Sequence, residues 1–189
     1  MKVLEITNVH KIYNSSEVQV HAVNGINLNF EKGEFAAIVG PSGSGKTTLL
    51  NLIGGLDQPD SGTIRVGGRS YENLNGAQMA DLRLNNIGFI FQAYNLIPVL
   101  TARENIELVM EVQGVPAEER KRRSTEILAE VGLEGLGDRR PAQMSGGQQQ
   151  RVAVARAIVS KPALVLADEP TANLDSHTAE QLMELFREL

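Results

Sequence analysis

Residues 35–55 read FAAIVGPSGSGKTTLLNLIGG, and the parsing of this stretch decides the fold. Its centre, GPSGSGKT at 40–47, fits G-x-x-x-x-G-K-[ST] at every required position. The apolar run FAAIVG before it reads as a strand buried on both faces. KTTLLNLIGGL after it reads as a helix that ends at Gly54-Gly55. A strand, a glycine-rich loop and a helix in that order form the setting in which a loop cradles phosphate. Gly40, Gly43 and Gly45 let the backbone turn its N–H groups toward a β-phosphate. Lys46 is expected to reach the β- and γ-phosphates, and Thr47 to offer its hydroxyl to Mg2+. Ser42, Ser44 and Thr48 complete the loop residues read as nucleotide-binding.

Composition limits what surrounds this loop. The chain of 189 residues is long enough for one domain with a real core and a subdomain. Apolar residues at 42% and charged residues at 22% are ordinary for a globular protein. A net charge of −5 argues against nucleic acid as the main partner, which would need a basic surface. With no cysteine, disulfides and thiolate metal sites are excluded. MKVLEITNVHKIY lacks the apolar core of a signal peptide, and no run reaches the length of a membrane span. The expectation is a soluble, cytoplasmic protein.

Outward from the loop, MKVLEITNVHKIY alternates as a strand does. INLNFEKGEFAAIVG suggests two strands joined by a turn at Lys32-Gly33. DQPDSG is a turn, TIRVGG a short strand with a further turn, and NIGFIFQ another strand. From Ala93 to Arg156 the pattern becomes helical: TARENIELVMEVQG and AEERKRRSTEILAEVG carry apolar residues at helical spacing. PALVLADEP returns to an apolar strand, and HTAEQLMELFREL is a closing amphipathic helix. The arrangement predicts an α/β core interrupted by a helical insertion.

ALVLADEP supplies a second half to the site. An apolar strand ending in two carboxylates puts both at the carboxyl edge of a sheet, where ligands of open α/β sheets bind. Asp168 is placed to hold Mg2+, and Glu169 to polarise a water for attack on a γ-phosphate, unless both merely cap the following loop. MSGGQQQR at 144–151 runs into the helical VAVARAIVS, so a Ser-Gly-Gly helix start offers backbone N–H groups to a second anion. Gln92 at the end of a strand reads equally well as a solvated loop residue. Tyr13 reads either as a base-stacking aromatic or as a half-buried strand tyrosine. Asp175 could simply cap the last helix, with Ser176 sharing that role and His177 on its surface. The basic run ERKRR lies among glutamates and reads as a solvated helix face.

Together GPSGSGKTT, FQ, MSGGQQQR, LVLADEP and ANLD resemble, in order and approximate spacing, the nucleotide-binding domains of ABC transporters. The resemblance covers essentially the whole chain. Within the family, GFIFQAYNLIPVLTARENIEL and SGGQQQRVAVARAI look most like the lipoprotein-release and macrolide-export subgroup (LolD/MacB type). Met144 stands where the family usually has Leu, a volume-conserving difference.

The resemblance implies a P-loop NTPase (RecA-like) core with an N-terminal antiparallel β subdomain, 1–92 and 157–189, and a helical subdomain, 93–156, bearing the signature. It implies ATP and Mg2+ as cofactors and a head-to-tail homodimer. Ser145, Gly146, Gly147 and Gln148 of one copy then close over the nucleotide held by Lys46 of the other. Tyr13 matches the family's adenine-stacking aromatic. Gln92 matches its glutamine at Mg2+ and the attacking water, and Asp175 its interface aspartate. A membrane permease would insert its coupling helix near residues 93–107, with the chain peripheral on the inner face of the membrane. The family's switch histidine falls beyond Leu189, and His10, His21 and His177 lack its context. The expectation is therefore a chain whose C-terminal part, with the last strands, is missing, with nucleotide binding kept and efficient hydrolysis in doubt. The resemblance leaves two alternatives, a regulatory or scaffolding dimer of the cell-division type and a non-transport ABC ATPase.

Overall fold

The computed structural model describes residues 2–14 and 19–188, so the expected first strand and last helix lose only Met1 and Leu189 from description. The chain divides into two compact units, Met1–Ile87 and Gly88–Leu189.

The first unit is built on an antiparallel sheet. Strand β1 (Lys2–Asn14) pairs with β2 (Gln19–Glu31) on one side and β3 (Ser61–Val66) on the other, and β3 pairs with the short β4 (Arg69–Ser70). Leu4 and Ile6 alternate onto the buried face and face Val66 and Ile64 across the ladder. Helix α1 (Lys46–Ile53) contributes Leu49, Leu52 and Ile53 to the buried set, and α2 (Gly76–Asn86) adds Met79 and Leu82.

Two readings need correction here. FAAIVG is not a strand: residues 34–40 join no ladder, and Phe35, Ile38 and Val39 are exposed. An apolar run becomes a strand only when a neighbour takes up its N–H and C=O groups, and no described segment does so. The turn at Lys32-Gly33 therefore ends β2 without starting another strand. Helix α2 was not expected, because its apolar stripe is thin. Its start was legible all the same, since Asn75 caps Gln78 N while Gln78 Oε1 accepts from Asn75 N, each at 2.9 Å.

Strand β5 (Ile87–Ile90) leads into the second unit and pairs with β6 (Leu164–Ala167), and among the described residues this unit has the α-helices α3 (Ala102–Val112), α4 (Ala117–Glu130), α5 (Gly146–Ile158) and α6 (Ser176–Glu188). Helix α3 packs against α4 and α5. Ile106, Met110, Leu128, Val152 and Leu182 share one core cluster, and Met144 lies in it as a leucine-sized residue would. Asn105 is fully buried in α3. Its Oδ1 accepts from Ile97 N at 2.7 Å, and its amide donates to the carbonyls of Ile97, Leu100 and Thr101. One side chain thus fastens the loop before α3 to the helix itself.

Candidate functional site

The phosphate-loop pattern occupies the expected position, immediately before α1 in the first unit. Gly45 caps the helix in the left-handed region, at φ 87°. A Cβ there would lie 2.1 Å from the carbonyl oxygen of Ala22 in β2, so both the backbone angle and the close approach require glycine. Lys46 Nζ donates to the carbonyls of Gly40 at 2.8 Å and Pro41 at 2.9 Å, which folds the loop around its own ammonium. Ser42 and Gly43 in the loop and Thr47 in the first turn of α1 are exposed.

Tyr13 sits near the end of β1 and is 42% exposed. Its hydroxyl donates to Asp57 Oδ2 at 2.7 Å. Lys11 Nζ donates to Asp57 Oδ1 at 2.8 Å and lies 5.2 Å from the centre of the tyrosine ring. The hydrogen bond to Asp57, helped by partial burial, pushes the Tyr13 phenol up from its ordinary range. Partial burial works against ionised Asp57, but the donors Lys11, Tyr13 and the Gln58 N–H outweigh it and hold the carboxyl below its usual value. Nothing in the local sequence pattern points to Asp57, which lies 44 residues from the tyrosine it holds.

The remaining expected residues lie in the second unit. Asp168 and Glu169 follow β6, and Asp168 N donates to Ile90 O at 3.0 Å, carrying the β5–β6 pairing onward. Glu169 adopts φ 47°, which a residue with a Cβ occupies at a cost of about 1–2 kcal/mol. Gln92 is exposed, and its carbonyl accepts from Asn173 Nδ2 at 2.9 Å, which ties the loop after β5 to the loop after β6.

Helix α5 touches both of those loops. Fully buried Gln150 donates from Nε2 to Pro170 O at 2.8 Å. The Arg156 guanidinium donates to Asn95 O at 2.6 Å and Tyr94 O at 2.9 Å, and burial pushes its pKa down. Neither residue was singled out from sequence, since a buried Gln or Arg inside a helical run carries no local signature.

At the N-terminus of α5, Ser145 and Gln148 form a reciprocal cap: Ser145 Oγ accepts from Gln148 N at 3.2 Å, and Gln148 Oε1 accepts from Ser145 N at 3.0 Å. Those two amides are therefore committed within the helix start. Among the described residues, the N–H groups of Gly146 and Gly147 have no hydrogen-bond partner. Both glycines line an open cavity of about 510 Å3 whose walls also include Ser145, Arg151, Asn173, Asp175 and Thr178. Asp175 caps α6, accepting from Thr178 N at 3.0 Å and Thr178 Oγ1 at 2.7 Å, and these bonds lower its pKa. The helix-cap reading of Asp175 is thus realised, and the same carboxylate lies on the cavity wall. Among the described residues no three His, Asp or Glu side chains gather to hold a metal ion, and no helix is long and apolar enough to cross a membrane.

A phosphate-loop pattern, an acidic strand end and a second glycine-rich helix start, set in a mixed α/β fold, define a P-loop nucleotide-binding protein. The sequence model of the ABC transporter family matches residues 23–172, and the chain belongs to that family. An uncharacterised ABC transporter ATP-binding protein of Thermotoga maritima is 52% identical over 191 residues, covering 100% of this chain and 80% of its own length. The macrolide export ATP-binding/permease protein MacB of Salmonella typhimurium is 47% identical over 186 residues. The match takes in 98% of this chain and only 29% of MacB. The dimeric post-hydrolysis structure of the ATP-binding cassette MJ0796 of Methanocaldococcus jannaschii, bound to ADP and Pi, superposes with a TM-score of 0.87 at 44% identity. That alignment covers 97% of this chain and 81% of MJ0796. The ABC ATPase fold and the likeness to the MacB type follow directly.

Proposed function

We propose that two copies of this chain bind ATP with Mg2+ head to tail and hydrolyse it to drive a separate membrane permease that exports or extracts a substrate. What supports this reading is that two glycine-rich helix starts suited to an anion lie in different compact units. One is the loop around Lys46, and the other is the start of α5 with its two uncommitted glycine amides. In the head-to-tail arrangement each nucleotide is held by the first cradle of one copy and the second cradle of the other. The dimeric ADP- and Pi-bound form of MJ0796 supports the pairing.

The residues present fit a nucleotide. Lys46 now donates to two neutral carbonyls and gains by exchanging them for phosphate oxygens, since charge-assisted hydrogen bonds are the stronger kind. Thr47 and Asp168 would hold Mg2+ with Gln92, a sparse protein set suited to an ion that keeps phosphate and water ligands. That ion would neutralise charge on the phosphates. Glu169, held in its strained conformation, orients and polarises the attacking water. Tyr13 offers its exposed ring to the base. Ser145, Gly146, Gly147 and Gln148 close over the γ-phosphate from the second copy, and Asp175 crosses the same interface. This division of labour keeps 1–92 and 157–189 as the ATP-binding part and 93–156 as the signature-bearing part.

Residues 93–107 form the permease-docking face in this reading. Val99 and Ile97 expose apolar surface there, and Asn105 holds the loop that carries them. The chain then works on the cytoplasmic face of the membrane. The test is light scattering after size exclusion on E169Q, with and without MgATP. The variant binds nucleotide but cannot activate water, so an ATP-dependent dimer accumulates. An ATP-bound species that stays monomeric overturns the head-to-tail reading.

A further inference from the structure

The surroundings of Tyr13 combine two features that seldom occur together. The ring is substantially exposed, while its hydroxyl and one of its faces are already engaged. An exposed tyrosine ordinarily samples several rotamers, and fixing it on ligand binding costs conformational entropy. Here that cost is met by the fold. The loop 57–60 is stitched to β1 by five contacts. Tyr13 Oη donates to Asp57, Lys11 Nζ donates to Asp57 Oδ1 and to Gln58 O, Ile12 N donates to Asp60 Oδ2 at 2.6 Å, and Asp60 N donates to His10 O at 2.9 Å. The loop is anchored at its other end too, because Asp57 N donates to Asn51 O at the end of α1. Since α1 starts at Lys46, the helix that follows the phosphate loop also anchors, through Asn51 O, the loop whose carboxylate holds the ring.

We propose that Asp57 is a positioning residue for the base of a bound purine nucleotide. It locks the Tyr13 ring in one orientation through the hydroxyl while its counter-ion Lys11 occupies one ring face, leaving the other face for the base. This inference rests on the proposed stacking role of Tyr13. Both oxygens of Asp57 accept from donors, Lys11 on one side and Tyr13 on the other. An amide at this position offers one acceptor and one donor, so it opposes a donor on one side wherever it is turned. Asp57→Asn therefore breaks the arrangement with almost no change in volume. Tyr13→Phe removes only the hydroxyl and leaves the stacking ring intact.

The experiment is calorimetric titration of the full chain and its variants with Mg-ATP and with Mg-tripolyphosphate, which lacks the base. D57N and Y13F should each weaken ATP binding about three- to tenfold while leaving tripolyphosphate binding unchanged. The D57N/Y13F double variant should be no weaker than either single variant, because both remove the same tether. Should D57N fail to fold, Y13F alone decides. If Y13A lowers the ATP-to-tripolyphosphate ratio while D57N and Y13F do not, the tether is merely structural and the proposal falls, with stacking left standing. Effects of D57N and Y13F that multiply in the double variant also overturn it. If Y13A itself leaves the ratio at the wild-type value, the stacking reading falls and takes the proposal with it.

Discussion

Gly147 is fixed by a neighbour, and substituting it reads that neighbour out. A Cβ at this position would stand 2.7 Å from Thr178 Cγ2. Comfortable carbon–carbon contact needs about 3.5–4.0 Å, so the threonine methyl would have to withdraw by roughly 1 Å. It cannot do so freely, because the threonine hydroxyl is bound to Asp175 Oδ2 at 2.7 Å, and moving the methyl to another rotamer moves the hydroxyl too. Inserting a methyl into such a contact costs about 1–3 kcal/mol. Helix propensity returns at most about 1 kcal/mol for Gly→Ala, and less in the first turn. Gly147→Ala should then destabilise the chain by about 1–2 kcal/mol, lowering the melting midpoint by about 2–8 °C. Thr178→Ser deletes the offending methyl and keeps the hydroxyl for Asp175. Thermal melts of the wild type, G147A, T178S and the double variant form a closed cycle. In the T178S background the alanine should cost less than about 0.5 kcal/mol. A full penalty in that background would refute the claim that glycine is required by the approach of α6.

Lys46→Ala deletes the ammonium that the loop carbonyls now hold, and ATP affinity should fall by on the order of a hundredfold, the loss of two charge-assisted contacts; unchanged binding by calorimetry would remove the phosphate loop from the site. Ser145→Arg should cost about 1 kcal/mol through the lost cap and leave the ATP affinity of a single subunit unaltered. In the E169Q background it should also abolish ATP-dependent dimer formation by light scattering. Arg156→Met strips two donors from the carbonyls of Tyr94 and Asn95 at a net cost on the order of 2 kcal/mol, partly offset because burial already disfavours the charge. Amide exchange in 93–97 should accelerate more than in α5; uniform acceleration would mean that the arginine does not hold that loop. Asp57 has a lowered folded pKa, so the stability it contributes is present above about pH 4 and drains away as pH falls through the lowered value. Lys11 has a raised pKa, so its contribution is complete below about pH 10.4 and is lost only as pH rises past the raised value. Urea midpoints should therefore fall less between pH 7 and pH 3 in D57N than in the wild type.

What could be read from the sequence depended on how far apart the interacting residues lie. The phosphate loop, the reciprocal cap at Ser145 and Gln148, and the cap at Thr101 and Glu104 are contacts over three to six residues, and each has a local pattern. Strand FAAIVG failed for the opposite reason. Its composition suits a buried strand, but strand formation belongs to a pair of segments, and the partner is not encoded in the run itself. The Asp57–Tyr13 bond and the Arg156 clamp on Tyr94 span 44 and 62 residues, and no period or motif links their ends. The positions left most open by sequence, Tyr13 and Gln92, are held in just this way. Each is fastened by a distant polar group, through the hydroxyl of Tyr13 and the backbone carbonyl of Gln92.

Asp175 carries the point further, because the residue that caps α6 also lines the cavity at the start of α5. Its carboxylate spends both oxygens on Thr178, which caps α6 and fixes the threonine rotamer. The fixed threonine methyl is what a side chain at position 147 would strike. The small residues at the start of α5 line the same cavity that Asp175 helps to line. The cap is therefore the means by which the aspartate is held on that wall. A variant that keeps the cap but changes the charge, Asp175→Asn, should leave the stability of the single chain almost unaltered, since Asn caps as well as Asp. Its effect should appear in ATP-dependent dimerisation of the E169Q chain. Loss of stability without loss of dimerisation would make Asp175 a capping residue and nothing more.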